Sequence, residues 1–204
     1  MSNAITDQPD GATPIDDISG LLQDIATRGE LNDAEALNLV SADEWLATGR
    51  IDDLFTVQFY RDLHCKMYDR VWSWAGSLRT QTNVTTNVGS PPHDVTRDLG
   101  HVALDYHQQW DGHSDTEDLL QFVSRYHHAL VLVHPFNNGN GRWARLAGDA
   151  VVARLTDQPP IVWATDTLAV ASDERRAYIE ALHQADEHNF QPLLDYLVAL
   201  NPDR

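Results

Sequence analysis

Apolar residues recur every three or four positions over most of the chain, and this spacing is typical of amphipathic α-helices. After Thr56, which can cap a helix, the recurring residues are Val57, Tyr60, Leu63 and Met67. The same spacing predicts further helices over residues 94–110, 115–133, 140–155 and 172–187, and a last helix with Pro192 in its first turn. The pattern therefore predicts an all-α helical bundle.

Residues 1–49 are expected to form a helical N-terminal extension. A short helix is predicted over residues 16–25, after which Gly29 interrupts the pattern. A second helix is predicted to start at a capping box in residues 32–35, to have Leu37, Val40 and Trp45 on its apolar side, and to end at Gly49. Residues 50–198 would form the main domain, packed with the extension as one compact unit.

Residues 76–92 differ in composition from the helical segments. Threonine and valine make up most of residues 80–88, and Asn83, Asn87 and Gly89 are typical turn residues. This segment predicts a small β-hairpin. The edge of a hairpin offers unpaired backbone groups to an extended peptide, although a purely structural hairpin would have the same pattern.

The charge and composition of the chain disfavour some classes of binding partner. The 204 residues include 31 acidic and 14 basic side chains, and the formal net charge of −17 disfavours binding to nucleic acid or to anionic membranes. We expect neither a membrane-spanning segment nor a signal peptide from the hydropathy pattern. Cys65 is the single cysteine, so no internal disulfide is expected. These features predict a cytoplasmic protein.

The signature segment, residues 134–145, joins two of the predicted helices and carries the candidate chemistry. Its two glycines, Gly139 and Gly141, allow the backbone to turn sharply and to approach a ligand closely. Arg142 and Arg145 are expected on one face of the following helix, near an N-terminus that favours anions. The segment therefore predicts a polyphosphate site beside a histidine suited to proton transfer. The alternative is a Gly/Asn-rich turn between helices with a buried histidine and two surface arginines.

The signature segment resembles the motif of the Fic family, His-x-Phe-x-[Asp/Glu]-Gly-Asn-Gly-Arg-x-x-Arg. Seven positions match: His134, Phe136, Gly139, Asn140, Gly141, Arg142 and Arg145. One position departs, because Asn138 stands where the family usually has a carboxylate. The resemblance covers about residues 50–198. Residues 10–14 and 27–32 resemble, more narrowly, the mobile mystery protein B branch of bacterial Fic-like proteins, in which asparagine is usual at the position of Asn138.

The resemblance implies a protein adenylyltransferase, which transfers AMP from ATP to a Ser, Thr or Tyr hydroxyl of a protein. By position, His134 would take the hydroxyl proton, and Arg142 and Arg145 would hold the β- and γ-phosphates. The other nucleotide-binding positions would be Phe136, which fixes the loop, and Asn137, Gly139, Asn140 and Gly141, which surround the phosphates. Asn138 would be the metal ligand, and its uncharged amide oxygen predicts weak binding of Mg²⁺ or Mn²⁺ and slow transfer.

Partners and regulation are also implied by the family. A hairpin flap docks the target in Fic proteins, so a protein target is expected at about Thr80–Pro92. A regulatory protein partner, as in a toxin–antitoxin pair, is a further expectation. Many Fic proteins carry an inhibitory glutamate that pairs with the second arginine of the motif. The chain has no strict match to that glutamate's motif, but Glu30 or Glu35 could take its place by geometry.

Two other functions stay open from the sequence. The chain could be a catalytically weak nucleotide-binding or interaction module that keeps the arginines but lacks the metal carboxylate. It could also carry out a related phosphotransfer, such as removal of AMP or transfer from another nucleotide. His127 and His128, upstream of the signature segment, are expected to be structural or surface residues rather than metal ligands.

Overall fold

The computed structural model describes residues 18–79, 89–110, 116–164, 168 and 172–202. This part of the chain forms helices α1 (Arg28–Thr48), α2 (Val57–Tyr68), α3 (Val95–Gln109), α4 (Thr116–Val133), α5 (Asn140–Leu155), α6 (Asp173–Asp186) and α7 (Gln191–Leu200). Its described residues contain no β-sheet, and the all-α prediction is confirmed. The predicted hairpin strands in residues 80–88 lie outside the described residues. No helix in the described ranges is both long and apolar enough to cross a membrane.

Helix α1 starts about one turn earlier than its sequence pattern predicts. Thr27 is the N-cap, and its hydroxyl accepts a hydrogen bond from the backbone N–H of Glu30 at 3.2 Å. The Glu30 carboxylate in turn accepts a hydrogen bond from the backbone N–H of Thr27 at 2.9 Å. This reciprocal capping box, rather than residues 32–35, satisfies the first backbone groups of the helix.

The buried face of α1 also differs from the predicted apolar side. Leu37 and Val40 are 73% and 63% exposed, so the prediction is wrong for these two residues. The buried positions are Leu31, Glu35, Asn38, Ala42 and Leu46. Asn38 is satisfied by distant backbone groups, since its amide donates to Lys66 O at 3.0 Å and accepts from Arg70 N at 2.9 Å. Hydrophobic spacing could not reveal a buried face that is partly polar.

The predicted helix over residues 16–25 is wrong for its described part, residues 18–25. Leu21 forms an antiparallel bridge with Trp72. Leu22 N donates to Val71 O at 2.9 Å, and Ser73 N donates to Gly20 O at 2.8 Å. The backbone groups of this segment therefore pair with the turn after α2 instead of with one another.

Helices α2, α4 and α5 share the centre of the core and hold the signature segment. Tyr60, Tyr126 and Trp143, one from each helix, are fully buried. The Tyr126 and Tyr60 hydroxyls lie 3.1 Å apart, and Trp143 Nε1 donates to Tyr60 O at 3.0 Å. Because these contacts join the middle of α4 and the start of α5 to α2, they limit the positions that the loop between α4 and α5 can take.

Helices α6 and α7 form a second, smaller apolar cluster beside α4. Tyr178, Leu182 and Leu193 are among its buried members, and Val131 of α4 packs against both clusters. Ser172 caps α6 through a hydrogen bond to Arg175 N at 3.0 Å, and Pro192 lies in the first turn of α7. Both features confirm the sequence predictions for this region.

Candidate active site between α4 and α5

The α4–α5 loop, residues 134–139, brings the signature residues to the N-terminus of α5. Gly139 is the N-cap of α5 and has a left-handed backbone, with φ of 76°. The Asn140 side chain is buried and braces the loop, because it accepts from Phe136 N at 2.9 Å and donates to Phe136 O at 2.8 Å. The first turn of α5, which contains Gly141, has backbone N–H groups without intrahelical partners. Asn137, Asn138 and Gly141 are half-buried in this region.

Phe136 fixes the loop, as expected, and its main partner is a histidine of α2. The Phe136 ring is fully buried and stacks on His64 with ring centroids 3.7 Å apart. His64 Nδ1 accepts a hydrogen bond from Gly76 N at 3.0 Å, so the proton is on Nε2, which donates to Asn138 O at 3.1 Å. Burial lowers the pKa of His64 to about 3 and keeps the ring neutral. No local pattern around His64 indicates this bridging role.

A Gly139→Ala substitution should destabilise the protein, because both the space and the backbone conformation at Gly139 exclude a side chain. A Cβ on Gly139 would lie 2.6 Å from the Tyr68 hydroxyl, and the left-handed backbone is unfavourable for alanine. We expect a loss of about 1–3 kcal/mol in the free energy of unfolding, measured by urea denaturation. The control is Gly100→Ala in α3, where a Cβ meets nothing within 4 Å and should stabilise the helix slightly. Equal stability of wild type and Gly139→Ala would contradict this packing.

His134 has the geometry of a general base. Its side chain is buried, and its backbone is left-handed, with φ of 51°. Nδ1 lies 3.3 Å from Val131 O, so Nδ1 carries the proton and Nε2 is the nitrogen that can accept one. Burial lowers the pKa of His134 to about 4. The imidazole is therefore neutral at pH 7, which is the form a base requires.

Arg79 holds the backbone of His134 in place. Its side chain is 3% exposed, and Nε donates to His134 O while Nη2 donates to Val133 O at 3.2 Å. Nη2 also donates to Ser90 O, and the backbone N–H of Arg79 donates to Pro135 O at 2.9 Å. Both ends of the predicted hairpin are thus tied to the start of the loop. Sequence reasoning missed this role, since nothing local indicates that a guanidinium will find three carbonyl acceptors.

Arg142 is paired with α1. Its Nη2 donates to Glu35 Oε2 at 2.6 Å, and its guanidinium lies 5.3 Å from the centroid of the Tyr68 ring. Glu35 is 1% exposed, and its other oxygen accepts from Trp72 Nε1 at 2.8 Å. Of the two candidate glutamates, Glu35 therefore contacts the signature segment, whereas Glu30 caps its own helix. The contact is with the first arginine, while the family resemblance predicts the second.

Arg145 is buried and lies against α6. Its guanidinium is 6.0 Å from the centroid of the Tyr178 ring, and the Tyr178 hydroxyl is 2.7 Å from His127 Nε2. His128 Nε2 pairs with Asp186 at 2.8 Å, so both histidines of α4 make structural contacts, as predicted. The signature segment is therefore held by α1 through Arg142 and by α6 through Arg145.

Acidification should destabilise the fold through its buried histidines. Burial lowers the pKa of His64 and His127 to about 3 and that of His134 to about 4, from an ordinary value of 6.5. Between these pKa values the unfolded chain binds more protons than the folded chain. The contribution of these histidines to the free energy of unfolding is therefore complete above pH 6.5 and decreases as the pH falls. We expect the free energy of unfolding to decrease from pH 6.5 to 5, above the range of ordinary carboxylates. His127→Gln should make the free energy of unfolding depend less on pH, whereas His101→Gln, at an exposed position, should not. Constant or rising stability of the wild type between pH 6.5 and 5 would contradict the prediction.

The described residues do not form a metal site by themselves. No group of three or more His, Cys, Asp or Glu side chains that could hold a metal occurs in the described ranges. The amide oxygen of Asn138 accepts a hydrogen bond from Gly139 N at 2.6 Å. This oxygen carries no charge, so the site fits a metal only when a ligand supplies most of the coordinating oxygens.

Known proteins are similar to the part of the chain that contains this loop. The model of the Fic/DOC family matches residues 54–152, which contain α2 to α4, most of α5 and the signature segment. A protein adenylyltransferase Fic from Nematostella vectensis is 30% identical over 126 residues, or 60% of this chain. The chain spans 26% of that relative's length.

Solved structures share the fold. The N-terminal Fic domain of a VirB-translocated Bep effector from Bartonella quintana, with bound ADP, has a TM-score of 0.70 and 16% identity, with 95% of each chain covered. The BepC protein of Bartonella tribocorum, with bound AMPPNP, has a TM-score of 0.67 and 16% identity, with 86% of this chain and 88% of that chain covered. Residues 54–152 therefore match the Fic/DOC family, and the chain has the fold of solved Fic domains.

Proposed function

We propose that the chain is a protein adenylyltransferase that transfers AMP from ATP to a hydroxyl side chain of a protein. One observation carries the proposal: a buried, neutral His134 lies in the same short loop that leads to Arg142, Arg145 and the N-terminus of α5. The relative from Nematostella vectensis is named a protein adenylyltransferase, and the two similar Bartonella structures hold ADP and AMPPNP. These names support ATP as the donor.

The proposed reaction follows from this arrangement. His134 Nε2 takes the proton of the target hydroxyl while the hydroxyl oxygen attacks the α-phosphorus of ATP. The bond from the α-phosphorus to the bridging oxygen breaks, and pyrophosphate leaves with the electron pair. Arg142, Arg145 and the first N–H groups of α5 stabilise the negative charge that develops on the leaving group. The products are the AMP-modified protein and pyrophosphate, and His134 returns its proton to solvent.

In this proposal, Mg²⁺ or Mn²⁺ enters the site bound to the nucleotide substrate. The phosphates provide charged oxygens, and Asn138 adds one uncharged oxygen that already accepts a hydrogen bond. Metal affinity is therefore expected to be weak and to depend on bound nucleotide.

The target protein is proposed to dock at about residues 80–92. This position is supported by Arg79 and Ser90, which connect both ends of that segment to the backbone of Val133, His134 and Pro135. An extended peptide bound there would lie beside the base. A toxin-like role with a regulatory partner and membership of the mobile mystery protein B branch are further proposals, which rest on the sequence resemblance alone. A cytoplasmic location is also proposed, from the single cysteine and the hydropathy pattern.

A nucleotide-binding module without transfer is the second candidate. Two observations favour it: Asn138 replaces the family carboxylate, and Glu35 occupies Arg142. Incubation with ATP labelled on the α-phosphate, with Mg²⁺ or Mn²⁺ and a bacterial lysate, separates the two. Adenylyl transfer predicts labelled protein, whereas a module predicts ATP uptake in titration calorimetry with no label on protein. The same incubation with labelled GTP, CTP and UTP tests other donors, and loss of AMP from a modified protein tests the reverse reaction.

A further inference from the structure

Two buried donor groups beside the loop have no hydrogen-bond partner in the described part of the chain: Nη1 of Arg28 and the hydroxyl of Tyr68. Arg28 is the first residue of α1, and Tyr68 is the last residue of α2. Neither belongs to the signature segment. A buried donor without an acceptor destabilises the folded state, so two of them beside the loop indicate an acceptor from outside the chain.

The Tyr68 hydroxyl lies against the N-terminus of α5. A Cβ on Gly139 would be 2.6 Å from this oxygen, and the guanidinium of Arg142 lies 5.3 Å from the centroid of the Tyr68 ring. Burial raises the pKa of Tyr68 to about 12, so the hydroxyl keeps its proton and can donate it to a ligand. The hydroxyl thus adds a donor to the backbone N–H groups of α5.

Arg28 reaches the same place from α1. Arg28 and Glu35 are seven residues apart and therefore share one face of the helix. Arg28 interacts electrostatically with Glu35, Arg142 and Tyr68. Each oxygen of Glu35 already accepts a hydrogen bond, one from Arg142 and one from Trp72. Glu35 therefore compensates part of the Arg28 charge, but Nη1 of Arg28 has no hydrogen-bond partner in the described part of the chain.

The charges around Tyr68 are unbalanced. Arg28, Arg142, Arg145 and Glu35 all act on the Tyr68 hydroxyl, so positive charge exceeds negative charge by two. This excess occurs in a chain whose formal net charge is −17. Partly buried cations of the same sign repel one another, and an anion placed among them would remove the repulsion.

We propose that Arg28 and Tyr68 bind the terminal phosphate of a nucleoside triphosphate, so that α1 supplies part of the donor site. Nη1 of Arg28 and the Tyr68 hydroxyl donate to this phosphate next to Arg142. The identification of the ligand as ATP rests on the proposed function. The N-terminal helix would then distinguish a triphosphate from a monophosphate.

The test compares ATP with AMP in titration calorimetry at one salt concentration. Tyr68→Phe removes the hydroxyl alone, and Arg28→Gln removes the charge. We expect each variant to weaken ATP binding at least tenfold, the effect of about one charge-assisted hydrogen bond, and to change AMP binding less than twofold. Because the Tyr68 hydroxyl has no partner in the described structure, Tyr68→Phe should keep or raise the melting temperature, which separates binding from folding. The controls Tyr106→Phe, in α3, and Arg70→Gln, at an exposed position, should bind ATP as wild type does.

Unchanged ATP affinity in Tyr68→Phe and Arg28→Gln, with ATP binding in wild type, would overturn this inference and leave adenylyl transfer intact. Equal weakening of ATP and AMP would overturn it too. If the wild type binds no nucleoside triphosphate, the proposed function is overturned. The anion site is then tested with tripolyphosphate instead of ATP. Tripolyphosphate binding that Tyr68→Phe weakens would support the anion site, and absence of binding would overturn it.

Discussion

Replacing His134 with alanine is expected to lower the rate of AMP transfer by about 10²- to 10⁴-fold, the usual contribution of a positioned general base. The Val131 carbonyl accepts from Nδ1, and burial keeps the ring neutral, so Nε2 is the nitrogen that takes the proton. The arginines and the N-terminus of α5 do not depend on the imidazole, so ATP affinity should change less than about twofold. The rate is measured with labelled ATP, and the affinity by calorimetry.

Two further variants make this result interpretable. His134→Asn removes the base but tolerates the left-handed backbone at this position, so it guards against a folding defect. His101→Ala removes an exposed histidine of α3 and should leave transfer unchanged. Transfer by His134→Asn at the wild-type rate would show that the imidazole is not the base.

Replacing Glu35 with glutamine is expected to increase the affinity for ATP by about tenfold or more. In the described structure the Glu35 carboxylate holds Arg142 at 2.6 Å, and a phosphate must compete with it for that guanidinium. A charge-assisted hydrogen bond contributes about 1.5–3 kcal/mol, and each 1.4 kcal/mol changes a dissociation constant tenfold. The amide oxygen of the new side chain can still accept a hydrogen bond from Trp72. The melting temperature should therefore fall only by the amount that the ion pair with Arg142 contributes. Transfer at low ATP concentration should rise with the affinity.

The matched control for this variant is on the same helix. Glu30→Gln makes the same change of charge, but the Glu30 carboxylate accepts hydrogen bonds from Ala26 N and Thr27 N at the start of α1. Glutamine is acceptable at this position of a capping box. We expect no change in ATP affinity for Glu30→Gln. Equal effects of the two substitutions, or weaker ATP binding in Glu35→Gln, would contradict competition for Arg142.

The sequence was most informative where the decisive residues are close together in the chain. Helices α2 to α5 have regular apolar spacing, and the candidate site residues from His134 to Arg145 are close together in the chain. The helices and the position of the candidate site could therefore be predicted, whereas the roles of its residues stay a prediction. The same segment identified the family. The residues of the signature segment are consecutive for a physical reason, because a phosphate-binding helix N-terminus and the residues that flank it are neighbours in the chain.

The sequence failed where burial depends on distant partners. Glu35 of α1 is buried because Trp72 and Arg142 satisfy it, 37 and 107 residues further along the chain. A polar residue in a helix gives no sign of such a partner, so the predicted apolar side of α1 is wrong for Leu37 and Val40. Arg79 and Tyr68 were missed for the same reason, since their roles come from carbonyls and guanidinium groups that only the fold brings near.

The most direct measurement determines which phosphate of ATP is transferred to protein. The Glu35→Gln variant is incubated with a bacterial lysate and with ATP that carries the label on either the α- or the γ-phosphate, and labelled proteins are separated by electrophoresis. Relative to lysate alone, adenylyl transfer predicts additional label on protein from α-labelled ATP, no additional label from γ-labelled ATP, and loss of the additional signal when His134→Asn is added to the variant. Additional label from γ-labelled ATP, or an additional α-label signal that persists with His134→Asn, would contradict transfer of AMP by His134.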